Sequence, residues 1–231
     1  MKSKTMDIDF SFVLASSVHD MKNSLGMLMN TVSDVIKKYP PQNESHANSY
    51  AVLEYEAVRI NSELIQLLSL YHLDHDHVHV QIDKHYVVDI LNDQIARNFY
   101  VLQSQKIKLD LVCDESLQGY FDADLIGGLI NNILVNCARY CKSSLRVVAQ
   151  QSQDFLCISI EDDGPGYPQD MLDMAAANAE MQVGFAGGRP HLGLLFAHKV
   201  ALLHQSKTLQ GFIKLSNGGQ LGGGCFNLYL P

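Results

Sequence analysis

Asn132 and Asn136 stand four residues apart in "LINNILVNCARY", and Arg139 follows three positions on. On a helix this spacing puts both amides on one face. An amide oxygen is a hard, neutral ligand of the kind Mg²⁺ accepts, because that ion prefers oxygen and keeps several waters. Arg139 adds a cation suited to a phosphate. The wet side of an ordinary amphipathic helix has the same composition. In "ISIEDDGPGYP" an apolar strand runs into Asp162, with Gly164 and Gly166 just beyond. A carboxylate there can accept a hydrogen bond from an exocyclic amine such as that of adenine, and glycine lets backbone approach a ligand closely. A plain strand-to-loop turn reads the same way. Gly193 opens the helical stretch "HLGLLFAHKVALLH", where free amide hydrogens and the helix dipole favour phosphate or simply a cap. Finally, "SSVHDMKNSL" sets His19 at the edge of an apolar stripe, beside Asp20 and one turn before Asn23.

Two textures must position these groups. From Leu14 to about residue 73 the period is helical: Val18, Met21, Leu25, Leu28, Val32 and Val35, then Leu53, Ala57, Ile60, Leu64, Leu67 and Tyr71. "YPPQNES" interrupts the pattern, since proline lacks the amide hydrogen and clashes with the preceding turn. Two such seams predict a helical hairpin, and pairing two hairpins as a homodimer would bury the rest of their apolar surface in a four-helix bundle. Further on, "KIKLDLVC", "SLRVVAQQ", "DFLCISIED", "GFIKLSN" and "GCFNLYL" read as strands, with helices near 87–103, 122–141 and 192–205. The expected architecture is α+β: residues 1–78 as the hairpin, then 79–231 as an α/β sandwich with a mixed sheet. The terminal "GGGCFNLYLP" reads as a structural turn into a closing strand.

The net charge of -8 argues against nucleic acid as the main partner. No run of about 18 apolar residues predicts a membrane span, and "MKSKTMDIDF" lacks the apolar core of a signal peptide. Five cysteines without a C-x-x-C pair suit reduced thiols in the cytoplasm. Cys137 and Cys141 could share a helix face, but zinc is the minor reading. Asp74, His75, Asp76, His77 and His79 read first as a solvated connector and second as a metal site.

The order and spacing of these pieces resemble the sensor histidine kinases and their ATPase-fold relatives. "NNILVNCARY" looks like the N box of that family, "DDGPG" like its G1 box, "HLGL" like the core of its G2 box and "GGGCF" like its last glycine box. "VHDMKNSL" looks like its H box, whose histidine accepts the phosphoryl group. The resemblance implies ATP and Mg²⁺ as cofactors. Asn136 would hold the metal, with Asn132 on the same helix face and Arg139 touching phosphate. Asp162 would read adenine, with Gly164 and Gly166 beneath the nucleotide. Leu192, Gly193 and Leu194 would start the helix behind the phosphates.

It further implies a dimeric hairpin, autophosphorylation of His19 and relay to an aspartate on a response-regulator receiver domain. A neutral imidazole at His19 is a competent nucleophile. Asp20 would orient it or take its proton, and the Asn23 amide could position a water for phosphatase activity. The pattern departs at "RPHLGL", where Arg189 and His191 replace expected glycines, and at the glycine-bearing lid "GFAGG" with Phe185. These departures leave an alternative: a dimeric histidine phosphotransfer protein, or a receiver phosphatase or adaptor, with a degenerate ATPase-like domain. With no sensory segment or anchor in view, the expectation is a cytoplasmic protein that takes its signal from an upstream sensor protein or a soluble ligand.

Overall fold

The computed structural model describes residues 10–75, 80–176 and 192–231. The chain divides into two compact units, Met1–Val78 and His79–Pro231.

In the first unit α1 (Phe10–Lys38) and α2 (Glu44–His75) form the expected hairpin. Lys37 and Lys38 occupy the last turn of α1, where they complement the helix dipole, and the prolines at 40 and 41 stop the helix. The Oδ1 of Asn43 caps the start of α2 by accepting from the His46 N–H at 2.9 Å. Leu25, Val32, Ala57 and Leu70 are buried, whereas Met21, Leu28, Val35, Leu53 and Ile60 from the same two seams are exposed.

The second unit is a two-layer α/β sandwich. Its elements are β1 (Asp83–Tyr86), α3 (Val87–Arg97), α4 (Phe99–Ser104), β2 (Lys108–Cys113), β3 (Gln118–Phe121), α5 (Ala123–Tyr140), β4 (Ser144–Ser152), β5 (Phe155–Asp162), α6 (Gln169–Ala176), α7 (Leu192–Leu203), β6 (Phe212–Asn217) and β7 (Gly224–Leu230). The main sheet has the order β2-β4-β5-β7-β6, with β2 and β4 parallel and the other neighbours antiparallel, so it is mixed as expected. Period-two alternation turns Leu145, Val147, Ile158, Ile160, Ile213, Phe226 and Leu228 into the core, where α5 and α7 cover them. A separate antiparallel pair, β1 with β3, was not expected. The stretch expected as one helix over 87–103 breaks at Asn98. The Asn98 Nδ2 donates to the Gln94 carbonyl at 2.8 Å and to Asn131 Oδ1 at 2.7 Å, spending its amide on a local cap and on α5.

Candidate functional site

Helix α5 carries the asparagine face. Its start is set by Asp122, whose Oδ1 accepts from the Asp124 and Leu125 amides at 3.1 and 3.0 Å. The Asp122 Oδ2 accepts from the Gln81 amide at 2.9 Å. The Asp122 N–H in turn donates to Nε2 of His204, at 3.1 Å, just beyond the end of α7. Nδ1 of His204 faces the Val200 carbonyl at 2.8 Å, so both ring nitrogens are used by a neutral imidazole protonated at Nδ1. Burial lowers the pKa of His204 below the ordinary histidine value; the Val200 bond and Asp122 oppose that shift.

Two turns along α5, Asn132 and Asn136 do share a face. The Asn136 Nδ2 donates to Asn132 Oδ1 at 3.4 Å, and the Asn132 Nδ2 reaches the Gly193 carbonyl at 3.5 Å, in the first turn of α7. The amide face of α5 thus meets the start of α7, although 61 residues separate Asn132 from Gly193. Arg139 is half-buried on the same helix, Leu192 and Gly193 are half-buried, and Leu194 is buried. Tyr140, at the end of α5, presents an exposed ring.

Asp162 ends β5 and is buried. Its Oδ1 accepts from the Gly164 amide at 2.7 Å and the Gly224 amide at 3.2 Å, and its own carbonyl accepts from the Gly223 amide at 3.0 Å. The cradle is too tight for side chains. A Cβ on Gly164 would stand 2.5 Å from the Tyr140 carbonyl oxygen, and one on Gly223 would stand 2.5 Å from Asp162 Oδ1. The last glycine box therefore grips the carboxylate directly, which the reading of "GGGCF" as purely structural missed. The three glycines in a row were the available signal.

Two protonated groups flank Asp162. Burial pushes the Cys137 thiol far up, with the Asp162 charge adding to it. Burial likewise raises the Tyr167 phenol, reinforced by Cys137 and Asp162. The neighbouring Asp163 behaves oppositely. Desolvation pulls its pKa up, but hydrogen bonds from Ser143 and Lys142 prevail and hold it at about 2. Asp163 Oδ1 accepts from the Lys142 amide at 2.7 Å and Oδ2 from the Ser143 hydroxyl at 2.9 Å, tying the approach to β4 to the glycine turn.

Other expected residues are placed less fully. His19 lies within α1, with its side chain outside the described residues. Asp20 and Asn23 are exposed on the same helix. Asp74 and His75 close α2, but their side chains lie outside the described residues, as do Asp76, His77 and His79. Phe185, the 184–188 glycines, Arg189 and His191 also lie outside them. Among the described residues no group of three or more His, Cys, Asp or Glu side chains is arranged to hold a metal. None of their helices is long and apolar enough to cross a membrane.

Comparison with known proteins agrees with this geometry. Residues 121–231 match the family described as histidine kinase-, DNA gyrase B-, and HSP90-like ATPase. The sensor histidine kinase CssS of Bacillus subtilis is 25% identical over 161 residues, covering 69% of this chain and 35% of that protein. The virulence sensor histidine kinase PhoQ of Salmonella typhimurium is 24% identical over 157 residues, covering 67% of this chain and 31% of that protein. The chain thus spans about a third of the length of these curated relatives. In fold it is similar to the Acinetobacter baumannii histidine kinase AdeS, with a TM-score of 0.57 and 19% identity over 92% of this chain and 96% of that one. It is also similar to full-length ShkA, solved in complex with AMPPNP, with a TM-score of 0.60 and 15% identity over 94% of this chain and 45% of that one. With the ATPase profile lying over the asparagine helix, the Asp162 turn and the closing glycine hairpin, residues 121–231 belong to the histidine kinase-, DNA gyrase B-, and HSP90-like ATPase family, and the chain is similar to sensor histidine kinases.

Proposed function

We propose that this chain is the catalytic core of a two-component histidine kinase, which phosphorylates its own His19 from ATP and passes the phosphoryl group to an aspartate on a response-regulator receiver domain. The observation that carries this reading is the convergence of four segments distant in sequence: α5, the 162–167 turn, the start of α7 and the 217–224 hairpin. They bring together a buried carboxylate, a glycine cradle and a paired-amide face.

The residues present fit Mg-ATP. The glycines let backbone close tightly around Asp162, which fixes the carboxylate at the end of β5. Asp162 would accept from the adenine amine, over Gly164 and Gly166. Asn136 would hold Mg²⁺, with Asn132 beside it, and Arg139 and the Leu192–Leu194 turn would face phosphate. Bound magnesium supplies charge neutralisation for the phosphoryl group in flight. Neutral His19 is the nucleophile: an N–P bond forms as the bond to the ADP oxygen breaks. Asp20, next along α1, takes the imidazole proton. Asn23 lies one turn further and would position a water against the phosphorylated receiver in the reverse, phosphatase direction.

The exposed seam residues of the hairpin support a homodimer, in which a second hairpin covers Met21, Leu28, Val35, Leu53 and Ile60 in a four-helix bundle. With ATP as donor this part of the protein would work in the cytoplasm, its stimulus coming through an upstream sensor protein or a soluble ligand.

Incubation with γ-labelled Mg-ATP is expected to give an acid-labile, base-stable phosphoryl group that is absent in His19→Ala. Asn136→Ala should stay folded and lose Mg²⁺-dependent nucleotide binding. Label that persists in His19→Ala would assign the acceptor elsewhere. Wild-type protein that melts at the same temperature with and without millimolar Mg-ATP would remove the kinase reading.

A further inference from the structure

Asn217, the last residue of β6, is exposed, yet it makes two directed bonds to one distant residue. Its Oδ1 accepts from the Tyr167 N–H at 2.7 Å, and its Nδ2 donates to the Tyr167 carbonyl at 2.9 Å. A single side chain thus supplies the donor-acceptor pair that a neighbouring strand would supply. Gly166, inside the turn so closed, has φ +82, and a Cβ there would stand 2.7 Å from Asn217 Oδ1. The turn therefore needs both a left-handed residue and the amide that fills the space beside it.

The clamp acts on the carboxylate through Tyr167. Oδ1 of Asp162 is already committed to the Gly164 and Gly224 amides. Oδ2 faces Gly224, since a Cβ there would stand 2.9 Å from Oδ2 and 3.0 Å from Cε2 of the Tyr167 ring. The Tyr167 ring and Asp162 Oδ2 thus crowd the same glycine from two sides. We infer that Asn217 is a positioning residue for base recognition: by clamping the Tyr167 backbone it holds that ring, and hence Asp162 Oδ2, in register for an exocyclic amine. This rests on the nucleotide reading given above and adds a residue that contacts no nucleotide itself.

The test compares Mg-ATP with Mg-inosine triphosphate, which has the same phosphates but an oxygen in place of the amine. Dissociation constants are measured for wild type, Asn217→Ala and Asn217→Asp, with ligand-free melting temperatures as a check on folding. Asn217→Ala is expected to weaken Mg-ATP by about tenfold while changing Mg-inosine triphosphate by less than about twofold, so that the preference for the amine collapses. Asn217→Asp retains the acceptor for the Tyr167 N–H, loses the donor and should fall between. If Asn217→Ala keeps the wild-type preference, or weakens both nucleotides in parallel, the positioning role is overturned while the nucleotide reading stands. Wild type that binds neither nucleotide overturns both.

Discussion

At the scale of single residues, two glycines of the same fold should respond to alanine with opposite signs. Gly128 is exposed in the middle of α5, and a Cβ there meets nothing within 4 Å. Gly128→Ala should therefore stabilise the protein by about 1 kcal/mol, the helix-propensity difference, and raise the melting temperature by about 2–4 °C. Gly164→Ala drives a Cβ to 2.5 Å from the Tyr140 carbonyl and 2.8 Å from Asp162 Oδ1. Backbone cannot yield as a flexible side chain does, so this variant should melt lower and lose Mg-ATP affinity by at least about tenfold. Calorimetry and a nucleotide titration check both. The asparagines and Asp162 were legible because their spacing is local. The grip on Asp162 was not, because Gly223 and Gly224 lie about sixty residues downstream and look like any turn. Asn217 left no local trace at all, since its partner Tyr167 is 50 residues away.

At the scale of elements, the strongly alternating strands and the long periodic helices could be read directly. The misses were short or broken. β1 and β3 have four residues each, too few to set an alternation against the surrounding chain. The eight residues of α6 lack both a cap signal and a full apolar stripe. At Asn98 a tertiary bond to Asn131 overrode a continuous helical pattern. The clasp between the helix ends, His204 to Asp122, makes element packing depend on pH. A histidine whose folded pKa lies below its unfolded value stabilises fully above about 6.5 and loses that contribution as pH falls below it. Protonation would also set an imidazolium N–H against the Asp122 N–H. His198, buried in α7, shifts in the same direction, through burial first and Lys199 second. The melting temperature should therefore fall from pH 7.5 to pH 5.5. His204→Gln, which cannot protonate, should show a shallower fall than wild type. Equal slopes in the two proteins would remove His204 from the account.

At the scale of the whole molecule, the composition limited the partners and the periodicity indicated a helical hairpin followed in sequence by an α/β sandwich. Among its described residues the hairpin leaves large apolar side chains exposed. Leu28 and Met27 are more than half exposed, at 51% and 66%. Association with a second copy would return about 25 cal/mol for each Å² of apolar surface removed from water. Leu28→Lys is expected to shift the protein from dimer to monomer in light scattering at micromolar concentration. It should reduce His19 phosphorylation if the donor domain and acceptor helix belong to different subunits. Wild type that is already a monomer would overturn the proposed dimer, and a dimer of unchanged mass in the variant would remove Leu28 from its contact.

The main sheet also has a consequence for biosynthesis. Its interior strand β7, flanked by β5 and β6, is the last of its strands to be synthesised. Until residue 230 clears the ribosome exit tunnel, β6 has no strand to pair with, and the Asp162 carboxylate lacks one of the amides that hold it. Until then the nascent sheet carries an open seam between β5 and β6, and that interval is its window of exposure to chaperones and to aggregation.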